Sequence, residues 1–163
     1  MCPRTPIQNE EIRQQTKQQI RDAAFELFAA KGFAQTSVRS IAEKAGLSKG
    51  LIYHYFNGKD EILHAIFDDL ADLGDQALDV TDDLPSSERL RAMLAMIFGY
   101  IEQSTEVVRL IISLALQPDA VEKLKSSIDA YNERQIRMLA PLFKDLGYEN
   151  PEDEAYYLAA KLD

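Results

Sequence analysis

Four residues between positions 49 and 54 combine side chains that could contact a nucleic acid. At about 100° per residue, a helix places Lys49, Gly50, Tyr53 and His54 within an arc of about 140°, and the apolar and aromatic residues among and after them on the opposite arc. A lysine can pair with a phosphate or a guanine edge, a glycine lets the backbone come close, and tyrosine and histidine can donate to phosphates or bases. The first arc therefore predicts a DNA-contacting face, and the second predicts the packing face of the same helix.

Two short helices are expected to position this arc. Thr36 or Ser37 is suited to cap the first, which ends at Gly46, and Ser48 is suited to cap the second, which runs to about Tyr55. The N–H groups at both helix N-termini could donate further hydrogen bonds to phosphates. Because only one turn separates the two helices, the pattern predicts a helix-turn-helix.

The remainder of the chain also has a helical pattern. Apolar residues recur with helical spacing throughout, with no convincing alternating run and no repeat, which predicts an all-α fold. We expect a first helix from about Asn9 to Lys31 with Gly32 as its left-handed cap, and a long fourth helix reaching about residue 79. The stretch 107–116 is apolar almost all round, which predicts a buried, central helix.

Charge and composition limit the kinds of partner. The net charge is -9, but residues 1–60 hold nine Lys/Arg against six Asp/Glu, while residues 61–163 hold nine against twenty-one. The first third is therefore the only plausible surface for a polyanion. No stretch approaches the roughly 20 apolar residues that span a bilayer, and no signal peptide is evident, so we expect a cytoplasmic protein without a membrane partner. Cys2 is the only cysteine, which excludes an internal disulfide.

The run TSVRSIAEKAGLSKGLIYHYFNGKDEIL at 36–63 closely resembles the DNA-binding signature of the tetracycline-repressor (TetR) family, as do KGF at 31–33, IAEKAG at 41–46 and YHYF at 53–56. The resemblance implies a three-helix, helix-turn-helix DNA-binding domain over 9–60 and a linking helix over about 59–79. Residues 80–163 match the family only in architecture, and the resemblance there implies a helical-bundle domain for ligand binding and dimerisation. Because the last helical pattern is still running at Asp163, we expect this domain to be truncated.

The resemblance also implies site residues and partners. The DNA contacts of the family carry over onto the following residues: Thr36, Ser37, Arg39, Ser48, Lys49, Gly50, Tyr53, His54 and Lys59. Tyr55 lies on the inward arc, so that only its hydroxyl could reach the DNA backbone. A member of this family is expected to be a homodimer that binds a palindromic operator, and to be a repressor released by a small-molecule effector.

The candidates for effector contact come from the second half of the chain. They mix bulky apolar groups with a hydroxyl and a thioether: Phe98, Ile101, Leu110, Leu114, Tyr131 and Met138. Few charged residues lie around them, which favours a largely hydrophobic effector. Each of them could equally be an ordinary core residue.

Other classes of function find little support in the sequence. There is no GxGxxG or GKS/GKT phosphate loop, and two histidines with one cysteine provide no convincing catalytic set, so neither an enzyme nor a cofactor is predicted. Glu61 and His64 form a single Glu-x-x-His pair, and a metal site of that type needs a second copy. The alternatives to the predicted repressor are a helical interaction or scaffold protein that does not bind DNA, and an activator of the same family.

Overall fold

The computed structural model describes residues 5–79 and 83–162, and every regular element in these ranges is an α-helix. The helices are α1 (Pro6–Lys31), α2 (Val38–Ala45), α3 (Lys49–Tyr55), α4 (Lys59–Asp79), α5 (Ser86–Gln103), α6 (Thr105–Ala115), α7 (Pro118–Asp145) and α8 (Pro151–Leu162). The all-α prediction is confirmed. Cys2, residues 80–82 and Asp163 lie outside the described residues.

Helix α1 begins three residues before the predicted start. Thr5 and Gln8 form a capping box, in which the Thr5 hydroxyl accepts from the Gln8 N–H at 3.3 Å and the Gln8 side chain accepts from the Thr5 N–H at 3.0 Å. Pro6 occupies the first helical position, where its missing N–H is not needed. The prediction of Asn9 was wrong because these polar signals lie outside the apolar pattern. At the other end Gly32 has φ 85° and ψ 158°, so it needs a positive φ but is not the predicted left-handed helical cap.

The chain divides into two compact units. The first contains α1 to α3, α4 as far as Ile66, and the stretch Glu106–Lys123, which includes α6. Its largest fully buried side chains are Ile20, Phe28, Ile41, Ile52, Ile62, Leu63 and Leu110. The second contains the rest of α4, α5, α7 from Leu124, and α8. Its core cluster is Met93, Leu139, Leu142, Phe143 and Ala155.

Helix α6 is less buried than its composition predicts. Val107 and Leu110 are buried, but Ile111, Ile112 and Leu116 are 45%, 54% and 77% exposed. The prediction of a central helix buried on all sides was therefore wrong, because among the described residues only one stripe of the helix packs against other side chains. Positions on the other faces are apolar without being covered.

Candidate nucleic-acid interface

Hydrogen bonds at the helix ends define the helix-turn-helix. The Ser37 hydroxyl accepts from the Ser40 N–H at 3.1 Å, and the Ser40 hydroxyl accepts from the Ser37 N–H at 3.1 Å. These two hydrogen bonds fix the start of α2. Gly46 ends α2 in the left-handed helical conformation, with φ 66° and ψ 26°. Two residues later the Ser48 hydroxyl accepts from the Leu51 N–H at 3.2 Å and caps α3. The turn predicted between the two helices is therefore present, with Ser37 and Ser48 as the caps.

Helix α3 has the two faces that the helical wheel predicted. Ile52 is fully buried and Tyr55 is half-buried on the inward side, whereas Lys49, Gly50, Tyr53 and His54 are exposed on the other. Among the described residues Lys49 makes no ion pair, and its ammonium lies 5.6 Å from the Tyr53 ring centroid. This exposed arc therefore offers a cation that pairs with no carboxylate of the described residues, beside a half-exposed phenol.

The start of α2 contributes a second cation at the surface. The Arg39 side chain is 80% exposed, and its Nε lies 2.9 Å from the Glu43 carboxylate. The hydrogen bond that Arg39 donates to Glu43 raises the pKa of Arg39 above its usual range. Ser37 is exposed just before it. The structure thus places Ser37 and Arg39 at the surface, with Arg39 already paired.

Thr36 and Lys59 do not lie where the resemblance implied. Thr36 is 3% exposed, and its hydroxyl donates to the Gly32 carbonyl at 2.8 Å. The Lys59 ammonium donates to the carbonyls of Phe33, Ala34 and Thr36 at 2.7, 3.3 and 3.0 Å. It also lies 4.3 Å from the centroid of the Phe33 ring, and burial lowers its pKa. Both side chains bind the α1–α2 turn, defined as residues 32–36, instead of facing outward. The sequence motif identifies the residue types, but it does not show that three carbonyl oxygens of the turn converge on the Lys59 ammonium.

The six effector candidates are dispersed. Leu110 is buried and Leu114 half-buried in the first unit. In the second unit, Phe98 is 53% exposed, and Met138 packs against the core cluster. Tyr131 lines a recess of about 240 Å³ between α4 and α7, whose lining is Phe67, Asp68, Ala71, Ser126, Ser127, Ala130, Tyr131 and Arg134. This recess is mixed in polarity, whereas the sequence favoured a hydrophobic site.

The surroundings of Tyr131 show how the recess is built. The Tyr131 ring meets the Phe67 ring edge-on, with centroids 6.0 Å apart, and the Arg134 guanidinium lies 5.6 Å from the Tyr131 ring. Arg134 is held by the Asp75 carboxylate at 3.0 Å, which also accepts from the Gln135 amide at 2.9 Å. Aromatic groups thus form one side of the recess, and a charged pair stiffens its edge.

The described residues contain neither a metal-binding cluster nor a membrane-spanning helix. No group of three or more His, Cys, Asp or Glu side chains lies close enough there to hold a metal ion. In the same ranges, no helix combines the length and apolar character needed to cross a membrane.

A helix-turn-helix with an exposed, cation-bearing second helix defines a class of DNA-binding protein. Residues 20–66, from the middle of α1 into α4, match the model of the family described as bacterial regulatory proteins, tetR family. These residues are therefore similar to the DNA-binding region of that family.

Three related proteins show the extent of the similarity. The HTH-type transcriptional regulator TtgR of Pseudomonas putida is 35% identical over 92 residues, which is 55% of this chain and 44% of TtgR. The HTH-type transcriptional activator FasR of Mycolicibacterium smegmatis is 29% identical over 143 residues, covering 84% of this chain and 63% of FasR. The crystal structure of a TetR-like transcriptional regulator from Rhodococcus sp. RHA1 has a TM-score of 0.68 and 29% identity, covering 90% of this chain and 79% of its own. The chain spans about half the length of the curated relatives it matches.

Proposed function

We propose that this chain is a transcriptional regulator that binds double-stranded operator DNA through the exposed arc of α3. The observation that carries the proposal is the uncommitted Lys49 beside Tyr53, on a helix whose opposite side is anchored by Ile52. Lys49, Gly50, Tyr53 and His54 contact base edges and nearby phosphates, and Ser37, Arg39 and Ser48 contact the flanking backbone. Thr36 and Lys59 support the site through their hydrogen bonds to carbonyls of the α1–α2 turn.

The distribution of charge favours this face. Residues 1–60 carry a net charge of +3, from nine Lys/Arg and six Asp/Glu, while the rest of the chain carries twenty-one acidic residues against nine basic ones. A polyanion is attracted to the first part and repelled by the second. The acidic remainder thereby limits contact with DNA to the α2–α3 region.

The regulator acts as a homodimer on a palindromic operator, and a small effector controls it. The match of residues 20–66 to the family model supports both statements, and in a two-fold dimer the two α3 helices enter major grooves about 34–36 Å apart. We assign repression with release by a largely hydrophobic effector as the mode of action; FasR, named an activator, represents the alternative. Of the six candidate residues for effector contact, Tyr131 is the one that lines the α4–α7 recess.

The test is a selection of duplexes bound by the 163-residue chain from a random-sequence library, followed by titration of the best duplex. Lys49→Ala and Tyr53→Ala are each expected to lower affinity about ten- to hundredfold, and Lys49→Ala to reduce the salt slope by about one. Lys125→Ala and Tyr156→Ala are matched controls, since both side chains are exposed in the second unit. Selection of no shared half-site, or equal binding by variants and controls, would refute DNA binding and favour the scaffold alternative.

The sign of regulation needs a separate measurement. A promoter that carries the selected duplex is placed before a reporter, with and without the chain. Repression predicts lower reporter output when the chain is present, and the same output as without the chain for Lys49→Ala. Higher output with the chain would instead identify an activator.

A further inference from the structure

One distant segment of the chain packs into the unit that carries the DNA-contacting arc. Glu106–Lys123, comprising α6 and the first turn of α7, belongs to the same compact unit as α1 to α3. The Ser113 hydroxyl of α6 donates to the Phe28 carbonyl in the last turn of α1 at 3.1 Å. The ammonium of Lys123 also pairs with the Asp60 carboxylate at the start of α4. The α6–α7 junction is therefore part of the body that positions α2 and α3.

Gln117 provides the contact between this junction and the α1–α2 turn. Its side-chain oxygen accepts from the Ala34 N–H at 2.9 Å, and its side-chain nitrogen donates to the Ser113 carbonyl at 2.7 Å. Both ends of the amide are thus used, one on the turn and one on α6. An amide bonded at both ends has one preferred orientation, so the position of Ala34 depends on that of α6.

The backbone of Gln117 is itself fixed. Its N–H donates to the Leu114 carbonyl at 2.9 Å, and its carbonyl accepts from the Ala120 N–H at 2.9 Å. The first bond lies at the C-terminal end of α6, and the second lies at the N-terminal end of α7. Gln117 is therefore anchored to both helices before its side chain reaches the turn.

Gly32 shows how closely the Gln117 amide approaches. A Cβ atom built on Gly32 would lie 2.9 Å from the Gln117 side-chain nitrogen, closer than real Cβ contacts. Gly32 also has φ 85°, a conformation that L side chains rarely adopt. The turn thus has a glycine where the amide lies against the backbone, and Ser37, the cap of α2, follows five residues later.

We infer that Gln117 is a positioning residue for DNA recognition, which holds the α1–α2 turn, and through it the start of α2, in register with α6. It touches no DNA. Lys59 holds the same turn from α4 through three carbonyls, so the turn is fixed both from α4 and from the α6–α7 junction. The inference rests on the proposed function, since its consequence is the orientation of the α2–α3 face.

The experiment compares Gln117→Met with Gln117→Glu in the full chain. Methionine keeps the unbranched shape but loses both hydrogen bonds, whereas glutamate keeps an oxygen acceptor for the Ala34 N–H. Gln103→Met is the control, since Gln103 is an exposed glutamine in the second unit. Two quantities are measured: hydrogen exchange of the Ala34 amide, and the ratio of affinities for the selected duplex and a scrambled one. The ratio cancels the effect of an added charge, which acts on both duplexes alike.

Gln117→Met is expected to speed exchange at Ala34 and to lower the affinity ratio about three- to tenfold, because the Ala34 N–H loses its acceptor and the turn loses its link to α6. Gln117→Glu is expected to change both quantities less than Gln117→Met does, because it keeps the acceptor for the Ala34 N–H and loses only the bond to Ser113. Gln103→Met is expected to keep both quantities within about twofold of the unmodified chain. An unchanged ratio in Gln117→Met, unchanged exchange at Ala34, or equal loss in Gln117→Met and Gln117→Glu would overturn the inference. If the unmodified chain shows no preference for any duplex, the proposed function itself fails, while exchange at Ala34 still reports the hydrogen bond.

Discussion

At the residue scale, Lys59 shows how one ammonium can hold several backbone carbonyls of a turn. An ammonium has three N–H donors, and the carbonyl oxygens of Phe33, Ala34 and Thr36 lie 2.7, 3.3 and 3.0 Å from its nitrogen. The face of the Phe33 ring adds a cation–π contact at 4.3 Å. These interactions fix the turn that leads to Ser37, so Lys59 contributes mainly to stability.

Replacing Lys59 by methionine is expected to destabilise the protein. Lys59→Met keeps most of the aliphatic stem but leaves three carbonyls without their shared donor, which should lower the free energy of unfolding by about 1–3 kcal/mol. Urea denaturation measures the loss. Lys125→Met is the matched control, because Lys125 is exposed, and it should stay within about 0.5 kcal/mol of the unmodified chain. Equal effects of the two substitutions would contradict the supporting role of Lys59.

Glu43 is expected to weaken DNA binding. Its carboxylate lies 2.9 Å from Arg39 Nε, so it occupies a guanidinium at the proposed interface and adds a negative charge there. Glu43→Gln should raise affinity for the selected duplex about two- to fivefold at low salt, and less at high salt, because exposed pairs are weak and screened. Glu133→Gln removes an equivalent carboxylate paired with Arg137 on α7, and should leave affinity unchanged. Lower affinity in Glu43→Gln would instead mean that the pair holds Arg39 in its DNA-contacting position.

At the scale of the elements, two glycines should respond oppositely to the same substitution. Gly46 ends α2 with φ 66°, and a Cβ there would meet no atom within 4 Å, so only backbone strain opposes a side chain. Gly99 lies inside α5, also with open space around it, where alanine is the better helix former. Gly46→Ala should lower the free energy of unfolding by about 1 kcal/mol, and Gly99→Ala should raise it by about 0.5–1 kcal/mol. Thermal unfolding of both variants tests this, and a shared sign would exclude the explanation from backbone conformation.

The sequence patterns predicted the buried and exposed faces of some helices better than those of others. In α3 the outward side is polar or small and the inward side apolar, so the wheel identified both Ile52 and the exposed arc. In α6 an almost continuous apolar run predicted burial on all sides, yet Ile112 and, just after the helix, Leu116 are exposed. An apolar composition does not show which residues pack against a helix. Gln117 was not singled out either. Its importance comes from Ala34, 83 positions away, and no local spacing encodes such a contact.

At the scale of the whole molecule, the unit that carries the DNA-contacting arc is discontinuous in sequence. It is formed by the chain as far as Ile66 and by Glu106–Lys123, while α5, which lies between them, belongs to the other unit. Leu110 of α6 is 1% exposed within this first core. The resemblance implied two continuous domains, 9–60 and 80–163, and no local pattern in the sequence indicates that a later helix packs with the earlier ones.

The division into two units predicts which helices should lose their protection from hydrogen exchange together. Regions that share a core tend to exchange amide hydrogens as one cooperative unit, so α6 should gain and lose protection with α1 to α3, and α5 with α8. Leu110→Ala removes buried contacts of the first unit and should speed exchange in α2, α3 and α6. Met93→Ala, equally buried in the second unit, should speed exchange in α5 and α8 instead. Each substitution should cost about 2–5 kcal/mol, so the native-state exchange is measured without denaturant. If α6 followed α5 in both variants, the helix would belong with its neighbour in sequence, and the route from α6 through Gln117 to the DNA-contacting face would lose its structural basis.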